Sequence, residues 1–124
     1  MKRFINIYKN NNTAGIAFHT AISKVFRKAE TLSNEMVEAI EYKNIEKRYL
    51  NSEELIRLMS EVHKVFDLEN PQGADIAMQK YCIHNINLLT KVNLRNDKEL
   101  AITLVQSFSE VANMWDTYRA PTES

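Results

Sequence analysis

The chain has 124 residues, the usual size of a single domain with one hydrophobic core. Its formal net charge is zero, which argues against a general binder of nucleic acids or anionic membranes, because such proteins carry a basic excess. Only two glycines and two prolines occur. A β-sandwich or barrel needs far more turn residues, so we expect long helices joined by few loops.

The N-terminus and the single cysteine indicate where the protein works. Residues 1–5 are basic and then apolar, but Asn6 and Lys9 interrupt this run well short of a signal-peptide core. No stretch approaches the roughly 20 apolar residues that span a membrane. Cys82 has no partner for an intramolecular disulfide, which suits a reducing cytosol. The prediction is a cytoplasmic protein that does not insert into a membrane.

Residues 1–16 are predicted to form an N-terminal arm. Its second half is polar, with three consecutive asparagines and a glycine. Its first half is more apolar than a disordered leader usually is, with Ile5, Ile7 and Tyr8. Two interpretations stay open: a cap that covers a groove until a client displaces it, or a strap that packs permanently on one end of the domain.

The first two helices are predicted from apolar residues spaced alternately three and four positions apart. Helix one runs from about Ala17 to Lys43, and its stripe is Phe18, Ala21, Ile22, Val25, Ala29, Leu32, Met36 and Ile40. Helix two ends before the proline-containing segment 67–73, and its stripe is Leu55, Met59, Val62 and Phe66. The start of helix two is ambiguous, because both Asn44 and the segment 51–54 resemble N-caps.

The third helix is predicted from about Ala74 to Val92 and is apolar around much of its circumference. Its broad apolar face consists of Met78, Tyr81, Cys82, Leu88, Leu89 and Val92. Ile76 and Ile83 lie nearly opposite that face. A helix that exposes one face to solvent does not normally carry apolar residues around so much of its circumference.

The fourth helix is predicted to begin at Asn96 as its N-cap. Glu99, three positions on, would be the acidic partner in an arrangement similar to a capping box. Its stripe is Leu100, Leu104, Phe108, Val111 and Trp115, so Trp115 is interpreted as a core residue. Short connections between four amphipathic helices predict an antiparallel four-helix bundle over residues 17–119. Residues 120–124 would then form a polar tail.

Several apolar residues lie away from these stripes. They are Ile45, Tyr49 and Ile56 on helix two, Ile76 and Ile83 on helix three, and Ile102 on helix four. Such residues could together line an external groove for an amphipathic partner helix. Two alternatives remain open: scattered surface residues without a role, or a homodimer interface.

Catalytic and metal-binding motifs are absent from the sequence. Di-metal sites in four-helix bundles need Glu-x-x-His pairs, and none of the three histidines follows a glutamate at that spacing. Cys82 has no neighbouring catalytic motif and is interpreted as a small buried hydrophobe. Two glycines cannot build a phosphate-binding loop. We therefore predict no enzymatic activity, no metal and no cofactor.

Four segments resemble the flagellar secretion chaperones of the FliS family. The segment 88–97, Leu-Leu-Thr-Lys-Val-Asn-Leu-Arg-Asn-Asp, is similar to the family's connection between the last two helices, and residues 112–115, Ala-Asn-Met-Trp, place a tryptophan late in the final helix. Residues 39–47 resemble the family's connection between helices one and two, and residues 8–11 its Tyr-x-x-Asn arm. The resemblance covers about residues 8 to 118.

The resemblance implies a binding function. Members of the family wrap the otherwise disordered C-terminal segment of flagellin around the bundle, which keeps the subunits monomeric until they are delivered to the export gate. In this chain Asn93, Asn96 and Asp97 are expected to cap the helix ends at the junction of helices three and four. The alternative is a helical adaptor or regulatory protein that binds a different partner helix.

Overall fold

The computed structural model describes residues 14–117 of the chain, with side chains from residue 18 onward. These residues form four α-helices, α1 (Ala14–Glu41), α2 (Ile45–Phe66), α3 (Gly73–Arg95) and α4 (Lys98–Thr117), and none of them lies in a β-strand. Helix α1 packs on α2 and most extensively on α4, while α3 packs on α2 and less extensively on α4. Neighbouring helices therefore follow chain order around an antiparallel four-helix bundle, and the predicted fold class is confirmed.

The helix boundaries differ from the predicted ones by a few residues. Helix α1 begins at Ala14, three residues before the expected start, since a single glycine costs only about 1 kcal/mol inside a helix and Gly15 does not end it. It ends at Glu41, because Lys43 adopts a left-handed conformation with φ of 57°. The remainder of the predicted arm, residues 1–13, and the chain beyond residue 117 lie outside the described residues.

The predicted stripes form the core of the bundle. Every residue assigned to a stripe in the four helices is either buried or packs against the buried cluster. Trp115 belongs to this set: its ring lies 6.0 Å from the rings of Phe18 and Phe66, centroid to centroid. These three aromatic side chains close the end of the bundle at which α1 begins and α2 and α4 end.

Phe26 is a core residue that the stripe did not include. It is fully buried, and its ring lies 6.0 Å from that of Tyr81 and 6.2 Å from that of Phe108. It follows Ile22 by four positions and so lies on the same face of α1. The buried face of α1 is therefore wider than the predicted stripe.

Three polar residues lie within the buried interior of the bundle. Ser33, Ser52 and Asn85 are almost completely buried. Each has a hydrogen-bond partner: Ser33 donates to the Glu30 carbonyl oxygen, Ser52 donates to the Met36 sulfur, and Asn85 donates to the Tyr81 carbonyl oxygen. Because these groups are satisfied, their burial does not carry the cost of an unpaired polar atom.

A polar cluster joins α1 to the last turn of α4. Asp116 accepts hydrogen bonds from the hydroxyl of Ser23 and, at 2.7 Å, from the guanidinium of Arg27. These bonds lower the pKa of the Asp116 carboxyl, with the Ser23 bond as the larger cause. The cluster marks the side of α4 that faces α1.

Candidate partner-binding surface

The side of α2 that faces α3 is identified by its contacts with the other helices. Glu54 lies on the opposite flank, toward α1, where its carboxylate is 3.7 Å from the ammonium group of Lys28. Ile56 follows Glu54 by two positions, about 200° around the helix, so it lies on the α3 flank. Ile45 and Tyr49 precede Ile56 by eleven and seven positions and share its face. Helix α2 therefore presents a stripe of three apolar residues along its border with α3.

Helix α3 carries a matching stripe on the other side of that border. Gln79 faces α2, because its side-chain amide donates a 2.7 Å hydrogen bond to the Phe66 carbonyl oxygen. Ile83 follows Gln79 by four positions and lies just outside it, on the face it shares with Ile76 and Leu94. All three side chains are exposed, Leu94 by 78 %.

Helix geometry places the two stripes side by side along the outer border between the packed helices α2 and α3, a surface that we call the α2/α3 groove. Its sides are formed by Ile45, Tyr49 and Ile56 on α2 and by Ile76, Ile83 and Leu94 on α3. Five of these six were singled out from the sequence. Leu94 was not, although its spacing of eleven residues from Ile83 places it on the same stripe.

Ile56 differs from the other groove residues because it also contributes to the core. Its side chain is half-buried and packs against the buried cluster. Ile45 and Ile83, in contrast, are 64 % and 50 % exposed. A substitution at Ile56 therefore changes both the groove and the folding stability, whereas a substitution at Ile83 changes the groove with little effect on the core.

Ile102 does not belong to the α2/α3 groove. It precedes Asp116 by fourteen residues, which is two heptads, and so lies on the same face of α4. Asp116 bonds to Ser23 and Arg27 of α1, whereas the α3 flank of α4 is marked by Ser107, whose hydroxyl lies 2.7 Å from that of Tyr81. Ile102 is thus on the α1 side, across the bundle from the groove, and the expectation that all six residues line one groove is corrected for this residue.

The connections α1–α2 and α3–α4 lie at one end of the bundle, which we call the junction end. The ambiguity about the start of α2 is resolved in favour of Asn44, whose side chain accepts a hydrogen bond from the Lys47 backbone N–H. The competing candidates Asn51 and Ser52 are buried inside the helix.

The residues predicted to cap the α3–α4 junction have different roles. Asn96 ends α3 in the left-handed conformation, with φ of 53°, and its backbone N–H donates to the Val92 carbonyl oxygen. It does not begin α4: Asp97 does, by accepting a 3.0 Å hydrogen bond from the Leu100 backbone N–H. Asn93 lies inside the last turns of α3, and its side-chain oxygen is buried without a hydrogen-bond partner among the described residues.

A cross-link between the two connections holds the junction end together. The guanidinium of Arg48, in the first turns of α2, donates a hydrogen bond to the side-chain oxygen of Asn96. Because Asn96 also terminates α3, this contact fixes the spacing of α2 and α3 where the groove begins. Of the three predicted junction residues, Asn96 therefore links α3 to α2, whereas Asp97 caps α4.

The remaining expectations concern chemistry and location. Cys82 is completely buried, and desolvation raises its pKa to about 12, so the thiol is neutral at physiological pH. Within residues 14–117, no three His, Cys, Asp or Glu side chains are grouped so that they could hold a metal ion. No helix of this part of the chain is long and apolar enough to cross a membrane. The proposed cap residues Ile5, Ile7 and Tyr8 lie outside the described residues.

Comparison with known proteins adds no family assignment. Neither a scan against models of protein families nor a search of curated proteins finds a match for this chain.

Proposed function

We propose that this protein is a binding protein that holds an amphipathic helical segment of another protein in the α2/α3 groove. The observation that supports this proposal is the pair of exposed apolar stripes along one border of the bundle. The core is already filled by other residues, so these side chains, Ile56 excepted, are not needed for folding. Their burial by a partner would release about 25 cal/mol for each Å² of apolar surface.

The dimensions of the groove suit a helix. Ile76 and Leu94 are eighteen residues apart on α3, which corresponds to roughly 27 Å along the helix axis. A partner helix of about eighteen residues would span this distance. Such a partner binds through apolar anchors spaced three and four positions apart.

The client that we propose is the C-terminal segment of flagellin. The resemblance of segments 39–47, 88–97 and 112–115 to the flagellar secretion chaperones supports this choice. The protein would act in the cytoplasm by stoichiometric binding, covering the segment that drives polymerisation and delivering the subunit to the flagellar export gate. It would not require catalysis, a metal or a cofactor. Because the client segment orders as it binds, the ordering entropy would reduce its affinity.

The alternative is an adaptor that uses the same groove for a different partner helix. Co-purification with flagellin separates the two. We expect intact flagellin to bind in a one-to-one complex, and flagellin that lacks its C-terminal segment not to bind. Equal binding of the two flagellins, or binding of neither, would contradict the proposed client.

A further inference from the structure

The apolar stripe of α2 continues past Ile56 to a histidine. His63 follows Ile56 by seven positions, or two turns, and Ile45 by eighteen positions, or five turns, so the three residues share one face of the helix. The side chain of His63 is half-buried. It is therefore a titratable group in line with the apolar residues Ile45, Tyr49 and Ile56.

The level of His63 along the border follows from a hydrogen bond between α2 and α3. The side-chain amide of Gln79 donates to the Phe66 carbonyl oxygen at 2.7 Å, so these two residues are level with each other. His63 precedes Phe66 by three positions. Ile83 follows Gln79 by four, which is a step in the same direction along the bundle, because the two helices are antiparallel. His63 therefore lies across the border from Ile83, within the α2/α3 groove.

The imidazole of His63 has no fixed partner in the described part of the chain. Neither ring nitrogen forms a hydrogen bond or an ion pair with another residue of the range 18–117. Neither is a buried polar atom that lacks a partner, so both nitrogens are accessible at the surface of the groove. The other two histidines lie elsewhere. The ring of His19 is 4.9 Å from that of Trp115 at the closed end, and the exposed His84 follows Tyr81, which faces α4, by three positions.

The charged groups around His63 leave it without a counter-ion. On the facing turns of α3, the carboxylate of Asp75 is occupied by a 2.8 Å hydrogen bond from the Gln72 backbone N–H. Asp67, which ends α2, lies 3.4 Å from the Gln79 amide. The charged residues of segments 57–69 and 75–83 are Arg57, Glu61, Lys64, Asp67, Glu69, Asp75 and Lys80. None of them forms an ion pair with His63, so its protonation adds an unpaired positive charge to the groove.

A partner helix covers the two charge states of this ring at different cost. An apolar helix that lies on a protonated imidazole removes the hydration of a charge that has no partner, whereas the neutral ring carries no such penalty. Histidine side chains in water change charge near pH 6.5. If the covered ring excludes the proton, the affinity for an apolar helix falls by up to about tenfold between pH 7.5 and pH 5.5.

We propose that His63 is a specificity-determining residue of the α2/α3 groove, which holds an apolar helix while the imidazole is neutral and releases it when the imidazole is protonated. This inference rests on the proposed use of the groove for a partner helix, but not on the identity of the client. It gives the groove an affinity that depends on pH without any change in the core.

The probe is an acetylated and amidated 18-residue amphipathic peptide made of leucine, alanine, glutamine and lysine only, so that its own charge is constant between pH 5.5 and pH 7.5. It is titrated into the full-length protein by isothermal titration calorimetry at 0.15 M salt, which screens distant charges. We expect binding to be about fivefold to tenfold weaker at pH 5.5 than at pH 7.5.

A matched pair of variants assigns this dependence to one side chain. His63→Gln keeps a polar group but cannot be protonated, and we expect its affinity to differ less than about twofold between the two pH values. His84→Gln makes the same change at the exposed position outside the groove, and we expect it to keep the full dependence. His63→Leu should bind at least as tightly as the unaltered protein at both pH values, because it extends the apolar stripe. Circular dichroism checks that each variant remains helical.

The outcomes separate this inference from the proposed function. Binding that is unaffected by pH, or an equal dependence in His63→Gln and the unaltered protein, would overturn the role of His63 and leave the groove as a binding surface. Tighter binding at pH 5.5 would overturn it as well. Failure of the peptide to bind at either pH, to the unaltered protein and to His63→Leu alike, would contradict both the inference and the groove as a site for a helix.

Discussion

At the scale of single residues, the burial of a side chain determines its contribution to the free energy of unfolding more than its chemical type does. Phe26 is enclosed by Tyr81 and Phe108, whereas Leu94 is 78 % exposed although both are large and apolar. Phe26→Ala should lower the free energy of unfolding by about 3–5 kcal/mol, because it leaves a cavity that the core can only partly fill. Leu94→Ala should change it by less than about 0.5 kcal/mol. Urea denaturation measures both, and similar losses for the two variants would contradict this view of the core.

Cys82 offers a second test at the same scale. Its pKa is raised from 9.0 to about 12 by desolvation, so the folded state keeps the thiol neutral at pH values where the unfolded chain ionises it. The resulting contribution to stability is complete below about pH 9 and is lost as the pH rises toward 12.

This shift predicts a lower free energy of unfolding at pH 10 than at pH 8, with a smaller decrease in a Cys82→Ala variant. Below pH 9, dithionitrobenzoate should modify Cys82 only after urea unfolds the protein. Rapid modification of the native protein would show that the thiol is accessible, in disagreement with its burial.

At the scale of elements, the helices were predictable and their junctions only partly so. The stripes on all four helices follow from periodicity, since each residue of a stripe needs only its own helix to be placed. The caps depend on one or two residues, and the sequence Asn96-Asp97 offers two adjacent candidates with the same chemistry. Only the backbone conformation assigns Asn96 to the end of α3 and Asp97 to the start of α4.

The left-handed conformation of Asn96 predicts a distinction between two substitutions. Asn96→Ala should lower the free energy of unfolding by about 1–2 kcal/mol, because a residue with a Cβ atom and no local hydrogen bond is strained there. Asn96→Gly should lower it by much less, because glycine adopts this conformation without strain. Equal losses in thermal or urea denaturation would instead place the importance of Asn96 in its side-chain bond to Arg48.

The groove itself shows where prediction from sequence stops. Periodicity separates spare apolar residues from core stripes, and this was enough to find Ile45, Tyr49, Ile76 and Ile83. It does not say which neighbour each flank of a helix faces. That information comes from contacts between helices, and for this reason Ile102 was grouped with residues on the other side of the bundle.

At the scale of the whole molecule, the bundle has two unlike ends and two unlike sides. One end is closed by aromatic packing around Trp115, while the junction end carries an open pocket of about 280 Å³. The α1–α4 side is held by the polar cluster at Arg27 and Asp116. The α2–α3 side exposes two apolar stripes, which is the asymmetry expected of a bundle that binds one partner along one border.

The most direct test of this account compares two variants that replace an exposed isoleucine by glutamate. Ile83→Glu changes the α2/α3 groove, and Ile102→Glu makes the same change at a 39 % exposed position across the bundle. The measurement is the dissociation constant for the C-terminal peptide of flagellin by isothermal titration calorimetry, with helicity checked for each protein. We predict that Ile83→Glu weakens binding at least about tenfold and that Ile102→Glu changes it less than about twofold. Equal affinities of both variants and the unaltered protein would contradict the groove as the binding surface.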